Sequence, residues 1–141
     1  MRVLFDTNVV LDVLLARAPH ARAATALFHH VAAKDIDGLL SATTVTTIHY
    51  LATKAVGASP AQRHLRTLLG LFEVAAVTRP VLMDAMALGF TDYEDAVLHE
   101  AAHHAEAQAI VTRDPRGFAK AKLRTYAPDE LLRLLRATPK A

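Results

Sequence analysis

The chain has 141 residues, 52% of them hydrophobic and 21% charged, with a formal net charge of +2. That length fills one domain with a single core, and that balance excludes a disordered chain. Cysteine is absent, which excludes a disulfide framework, a thiolate metal site and a cysteine nucleophile, and suits a reducing cytoplasm.

In chain order, Arg2 to Phe5 reads as a short buried strand, and Asn8 to Leu15 as a helix capped near Asp6 or Thr7. Ala18-Pro19-His20 breaks it, and His20 to Ala33 is an alanine-rich helix that ends near Asp35 to Gly38. Leu39 to Ala42 is a second strand, followed by a helix from Thr44 to Val56 that Gly57 terminates. Ser59-Pro60 supplies a cap residue and then proline at the first helical position, opening a helix to Leu71. Phe72 to Val77 is the third strand, Pro80 opens a helix that stops at Gly89, and Asp92 to Ala105 forms the next. Ala109 to Thr112 and Leu123 to Tyr126 are the last strands, and Pro128 opens a terminal helix through Leu135.

Strands alternate with helices, and the strands are apolar throughout rather than on every second residue. That predicts a mostly parallel sheet of about five strands covered on both faces, an α/β/α sandwich of three layers. Residues 1–141 form one domain, with no repeat, linker or low-complexity segment. A charge at Asp6 comes too early for a signal peptide, and no apolar run approaches the roughly 18 residues of a membrane span. A cytoplasmic protein without membrane contact is expected.

Acidic residues recur at the ends of these elements. Asp6, directly behind Val3-Leu4-Phe5, aims a carboxylate at the sheet's carboxyl edge, where open α/β sheets bind ligands. Asp92-Tyr93-Glu94-Asp95 opens a helical pattern with Asp92 and Asp95 on one face, and Asp114 closes the strand that ends at Thr112. Acids in a first turn also complement the helix dipole, but this run is denser than a dipole requires. Clustered carboxylates repel, and some are driven towards protonation unless a cation relieves them. Mg²⁺ or Mn²⁺ prefers such oxygen ligands, and the matching chemistry is metal-assisted attack of water on a phosphodiester.

The net charge conceals an asymmetry. Half of the lysines and arginines lie from Arg113 onward, namely Arg113, Arg116, Lys120, Lys122, Arg124, Arg133, Arg136 and Lys140, opposed only by Asp114, Asp129 and Glu130. Such an end suits a polyanion held near metal ions, or is simply a solvated basic face.

With these pieces in order, the chain resembles the PIN domain family from Val3 to about Leu132. The resemblance is carried by Leu4-Phe5-Asp6-Thr7-Asn8-Val9, by Ser41-Ala42 before a helix, by Asp92-Tyr93-Glu94-Asp95-Ala96, and by Ile110-Val111-Thr112-Arg113-Asp114 with Phe118 behind it. It implies an Mg²⁺- or Mn²⁺-dependent ribonuclease of the VapC-like kind, the toxin of a toxin–antitoxin pair. It further implies an RNA substrate, a cognate antitoxin and a homodimer. On that resemblance Asp6, Asp95 and Asp114 are metal-binding catalytic acids, while Asn8 and Thr112 orient them. Arg113 and Arg116 are then expected at the substrate.

The pattern departs at Thr47, where the family usually has a glutamate; no other acid lies between Leu39 and Phe72. Asp92, one turn before Asp95, is the residue expected to supply the missing charge to the catalytic metal set. Loss of the glutamate also leaves room for a non-enzymatic module that binds RNA or a protein.

His99-Glu100-Ala101-Ala102-His103 fits the His-Glu-x-x-His pattern of zinc peptidases, with two histidines on one helix face and Glu100 as base. No third ligand follows at the usual spacing, and the acidic cluster would be idle. His99 is instead expected on the active-site side, with His103 and His104 partly exposed. His29, His30, His49 and His64 read as ordinary helix or interface histidines. The stripes Leu65-Leu68-Leu69-Leu71 and Leu131-Leu132-Leu134-Leu135 read as core, any exposed part of the first serving a second copy or an antitoxin helix.

Overall fold

The computed structural model describes residues 1–138, so Lys140 lies outside the described residues. In order along the chain come β1 Arg2–Phe5, α1 Thr7–Leu14, α2 Ala21–Ala32, β2 Asp37–Ser41, α3 Ala42–Val56 and α4 Ala58–Leu71. Then follow β3 Glu73–Ala75, α5 Arg79–Met86, α6 Tyr93–His104, β4 Ala109–Val111, a 3-10 turn Pro115–Phe118, β5 Arg124–Tyr126 and α7 Pro128–Ala137. The strands lie side by side in the order β3-β2-β1-β4-β5, and every pairing is parallel. Two helices precede each of β2, β3 and β4, and a 12-residue connection, 112–123, holding the 3-10 turn precedes β5, long enough for the crossovers that parallel pairing demands.

Alternation along β1 divides the core between the two faces of the sheet. Val3 and Phe5 join Leu40 and Val111 beneath α1, α2 and α7. Leu4, paired with Leu39 and Ile110, joins them on the other face beneath α5 and α6. The result is the expected three-layer sandwich. Phe5, Phe28 and Phe72 pack edge to face with centroids 5.0 to 5.9 Å apart, a preferred aromatic geometry.

Two expectations change. Ser59 does not cap α4, because Gly57 at φ 88° reverses the chain in a single residue between α3 and α4. That backbone state suits glycine, and it moves Ser59 and Pro60 into the first turn. The leucine stripes are only partly core, since Leu68, Leu131 and Leu132 are buried while Leu69 and Leu134 are exposed. Among the described residues no helix is long and apolar enough to cross a membrane.

The carboxyl edge is built by helices that start the moment their strands end. Asp6 caps α1 by accepting from the Thr7 amide, and Ser41 caps α3 by accepting from the Thr43 amide. Such oxygen-bearing caps satisfy amide groups that the first turn leaves open. Asp6 therefore reaches the edge because it is at once the end of a strand and the start of a helix.

Candidate active site

Asp6 is only 7% exposed. Its Oδ2 accepts from the Thr112 hydroxyl at 2.6 Å and from Asn8 Nδ2 at 3.3 Å, while Oδ1 accepts from the Thr7 amide at 2.7 Å. All of these donors are neutral. Burial raises its pKa against the bonds from Thr112 and Thr7, and the negative charges of Asp114 and Glu94 push the same way. The Thr112 hydroxyl also accepts from the Asp114 amide at 2.9 Å. One buried hydroxyl thus ties the end of β1 to the loop after β4, and Thr112 and Asn8 stand where orienting residues were expected.

Asp95 sits in the first turn of α6, and its pKa is pushed up to about 7. Burial is the main cause, followed by the charges of Asp6, Asp92, Asp114 and Glu94. Asp114 arrives from the opposite side as the cap of the 3-10 turn, accepting from the Gly117 amide at 3.3 Å. A Cβ at Gly117 would lie 2.7 Å from Asp95 Oδ2 and 3.0 Å from Asp114 Oδ2. The missing side chain is therefore what lets these two carboxylates face the same small space.

Asp92 caps α6, with Oδ1 accepting from the Glu94 amide at 2.8 Å and from the Asp95 amide at 3.4 Å. Its charge reaches Asp95, but one of its oxygens is engaged by the helix. Glu94 acts electrostatically on both Asp6 and Asp95, a role the sequence reading did not assign although the residue was plain in the acidic run. Gly117 was missed as well. Only its place two residues behind Pro115 in a turn hinted at it.

In α3, Thr47 is half-buried. The residue of α3 tied to the Asp6 loop is Thr44, fully buried, whose hydroxyl lies 3.0 Å from that of Thr7. Arg113 is not free to meet a substrate with its whole fork. Its Nε and Nη2 hold Asp12 at 2.5 and 3.2 Å, and Arg17 holds the same carboxylate at 2.9 Å. Asp12 is 0% exposed and was not singled out in sequence, because an acid inside a helical pattern gives no sign of its partners. Arg116 is exposed on the 3-10 turn.

His99 does not face the acidic edge. It is 1% exposed, packs 5.6 Å from the Phe90 ring, and its Nε2 accepts from the Lys122 and Leu123 amides at 3.1 and 3.3 Å. That lone pair is occupied and the ring is buried, and among the described residues no three His, Asp or Glu side chains group as metal ligands, so the His-Glu-x-x-His pattern has no zinc-ligand set here. Burial lowers the pKa of His99 and so favours the neutral ring.

The donor set at the carboxyl edge is all oxygen, and its members repel enough to raise pKa values, as suits a hard divalent cation. Among the described residues, however, no three acidic or histidine side chains stand close enough to make a ready coordination group. Asp6, Asp92, Asp95 and Asp114 do not converge as four ligands. Mg²⁺ needs no such cage, since it keeps its waters and is commonly held by one or two carboxylates together with a substrate phosphate. Asp95 and Asp114 across Gly117, with Asp6 behind them, fit that requirement.

A family model described as PIN domain matches residues 2–116. In fold the chain is similar to VapBC2 from Rickettsia felis bound to a DNA fragment from their promoter, at TM-score 0.71 and 15% identity, covering 90% of this chain and 98% of that one. It is similar to a toxin–antitoxin complex from Klebsiella pneumoniae at TM-score 0.70 and 22% identity, covering 89% and 97%. It is also similar to VapC20 of Mycobacterium tuberculosis, a sarcin-ricin loop cleaving toxin, at TM-score 0.63 and 16% identity, covering 77% and 86%. No curated protein matches the chain in sequence.

Proposed function

The chain belongs to the PIN domain family, and from that premise we propose that it is a divalent-metal-dependent endoribonuclease and the toxin of a toxin–antitoxin pair. The observation that carries this reading is the pair Asp95 and Asp114, facing one space over Gly117 with buried Asp6 behind them.

Asp95 and Asp114 would hold Mg²⁺ or Mn²⁺, with Asp6 as the acid fixed nearest the sheet. When bound, such an ion supplies a positive charge for a phosphate oxygen and lowers the pKa of a water. The chain's own residues do the rest. Thr112, Thr7 and Asn8 lock both oxygens of Asp6, and Asn8 also accepts from the Arg113 amide at 3.4 Å, joining the two loops of the site. Burial and the neighbouring carboxylates push Asp95 up to about 7 in the metal-free chain, and a cation bound there would hold it ionised.

RNA is the proposed substrate and the cytoplasm the proposed location. A cognate antitoxin and a second copy of the chain are the proposed partners. Two of the similar solved structures are VapBC2 and a toxin–antitoxin complex, and Tyr50, Leu51, Val56 and Leu69 leave apolar surface exposed on α3 and α4, as a docking partner requires.

The test is incubation of purified protein with structured RNAs, a sarcin-ricin hairpin among them, in EDTA, Mg²⁺ and Mn²⁺. Cleavage should require the metal and vanish in Asp6→Asn and Asp114→Asn. A second reading, a binding module without catalysis, is favoured by Thr47, which leaves α3 without a carboxylate at the site. It predicts no cleavage in any arm and unchanged RNA binding in Asp95→Asn.

A further inference from the structure

Beside the acidic edge lies a cleft of about 580 Å³ between the start of α2 and α7. Its walls carry His20 just before α2, Arg22 from α2, Arg113 from the loop after β4, and Pro128, Asp129 and Arg136 from α7. Pro128 follows the end of β5 and Arg113 the end of β4, so the cleft opens at the same sheet edge as the carboxylates. Arg113 belongs to both places, since the next residue is Asp114 and successive Cα atoms are about 3.8 Å apart.

The cations of this cleft are not held by acids of its own walls. Arg22 and Arg136 are exposed, and among the described residues neither forms an ion pair. Arg113 is anchored from beneath by Asp12, which sets its guanidinium rather than removing it from the cleft, and Arg17 adds a second positive charge to that one carboxylate. Asp129 is the one acid of the lining. A positive concave surface adjoining a negative centre is arranged for a polyanion whose scissile group sits at the acids and whose flank lies on the cations.

We propose that the cleft lined by Arg22, Arg113 and Arg136 holds the backbone phosphates of RNA flanking the bond placed at Asp95 and Asp114. This rests on the ribonuclease reading for the position of the scissile bond, but not for the binding itself. The contact is to phosphate, so it gives register and affinity rather than base choice.

Binding of a labelled 20-nucleotide oligouridylate is measured in EDTA, where no cleavage interferes, across a salt series. Arg22→Glu/Arg136→Glu is compared with Arg63→Glu/Arg66→Glu, which makes the same change of charge on α4. The cleft variant is expected to bind about tenfold more weakly, with the slope of log affinity against log salt smaller by about 0.7 for each lost phosphate contact. The α4 variant should stay near wild type, and both should keep their melting temperature and Mn²⁺ affinity. In the cleavage assay the cleft variant should raise KM and leave kcat in place. Equal weakening by both variants, or an unchanged cleft variant, would overturn the proposal. So would selective binding of labelled decaglutamate at Arg22 and Arg136 with RNA binding unaffected, which would make the cleft a protein-docking surface. Selective loss of RNA binding without metal-dependent cleavage by wild type would uphold the cleft and sink the nuclease reading.

Discussion

Asp6 and Asp12 stand at the two ends of one short helix, both buried, and the chain treats them in opposite ways. Asp12 is met by two guanidinium groups, from Arg17 and Arg113. Asp6 is met only by an amide, a hydroxyl and a carboxamide, and its charged neighbours are other carboxylates. A buried acid with fixed counter-charges is a structural joint. Acids that share one edge without an arginine between them, here buried Asp6, half-buried Asp95 and exposed Asp114, are poised for a cation that the chain does not itself provide. The contrast separates the scaffold of the site from its chemistry.

The largest effect should come from breaking the joint. Asp12→Asn removes the charge beneath Arg17 and Arg113, whose side chains are 39% and 29% exposed. Solvent reaches those arginines, so the cost should fall at the low end for a broken buried pair, about 3 kcal/mol; urea denaturation measures it. At the other carboxylate the sign reverses. Asp6→Asn relieves repulsion at the acidic edge, so the metal-free protein should melt no lower than wild type while Mn²⁺-dependent cleavage is lost.

Gly117→Ala is a finer test of the same edge, because its methyl carbon would press on Asp95 Oδ2 and Asp114 Oδ2 at 2.7 and 3.0 Å. Mn²⁺ affinity should drop by about tenfold, equivalent to about 1.4 kcal/mol, with the fold intact by circular dichroism. Calorimetry that found wild-type affinity in this variant would show that Asp95 and Asp114 need not share that space.

The pH dependence should be the smallest effect, because Asp95 is only half-buried and solvent screens its charge. Asp95 has a folded-state pKa of about 7, above the roughly 3.9 of an unfolded aspartate, so folding takes up protons between those values. Its contribution to stability is therefore greatest at low pH and is lost as pH rises from about 4 through 7. Metal-free protein should melt lower across that window and Asp95→Asn should flatten the trend, whereas Mn²⁺ affinity should rise through the same range.

Most of the fold was legible because it depends on local patterns. The apolar runs at Val3-Leu4-Phe5 and Ala109-Ile110-Val111, each followed by an acid, fix both the strands and the edge they point to. The placing of Asp6, Asp95 and Asp114 at that edge could be read for the same reason. What escaped depends on contacts between distant segments. Asp12 finds its partner 101 residues away at Arg113, Gly117 matters only because α6 passes close above it, and His99 turned out to brace the loop before β5 rather than face the site. Histidine at helical spacing from an acid does not reveal which wall it faces. Thr47 carries no carboxylate, and the α3 contact to the Asp6 loop is made one turn earlier by Thr44.

The central claim is that the unpaired acids, and not the paired one, form a cation site. Mn²⁺ titration at pH 8, followed by calorimetry and by the loss of free-Mn²⁺ electron paramagnetic resonance, tests it in wild type and in Asp95→Asn. The account predicts saturable binding in wild type that Asp95→Asn weakens by at least about tenfold. Equal binding by the two proteins, or none by either, would contradict it.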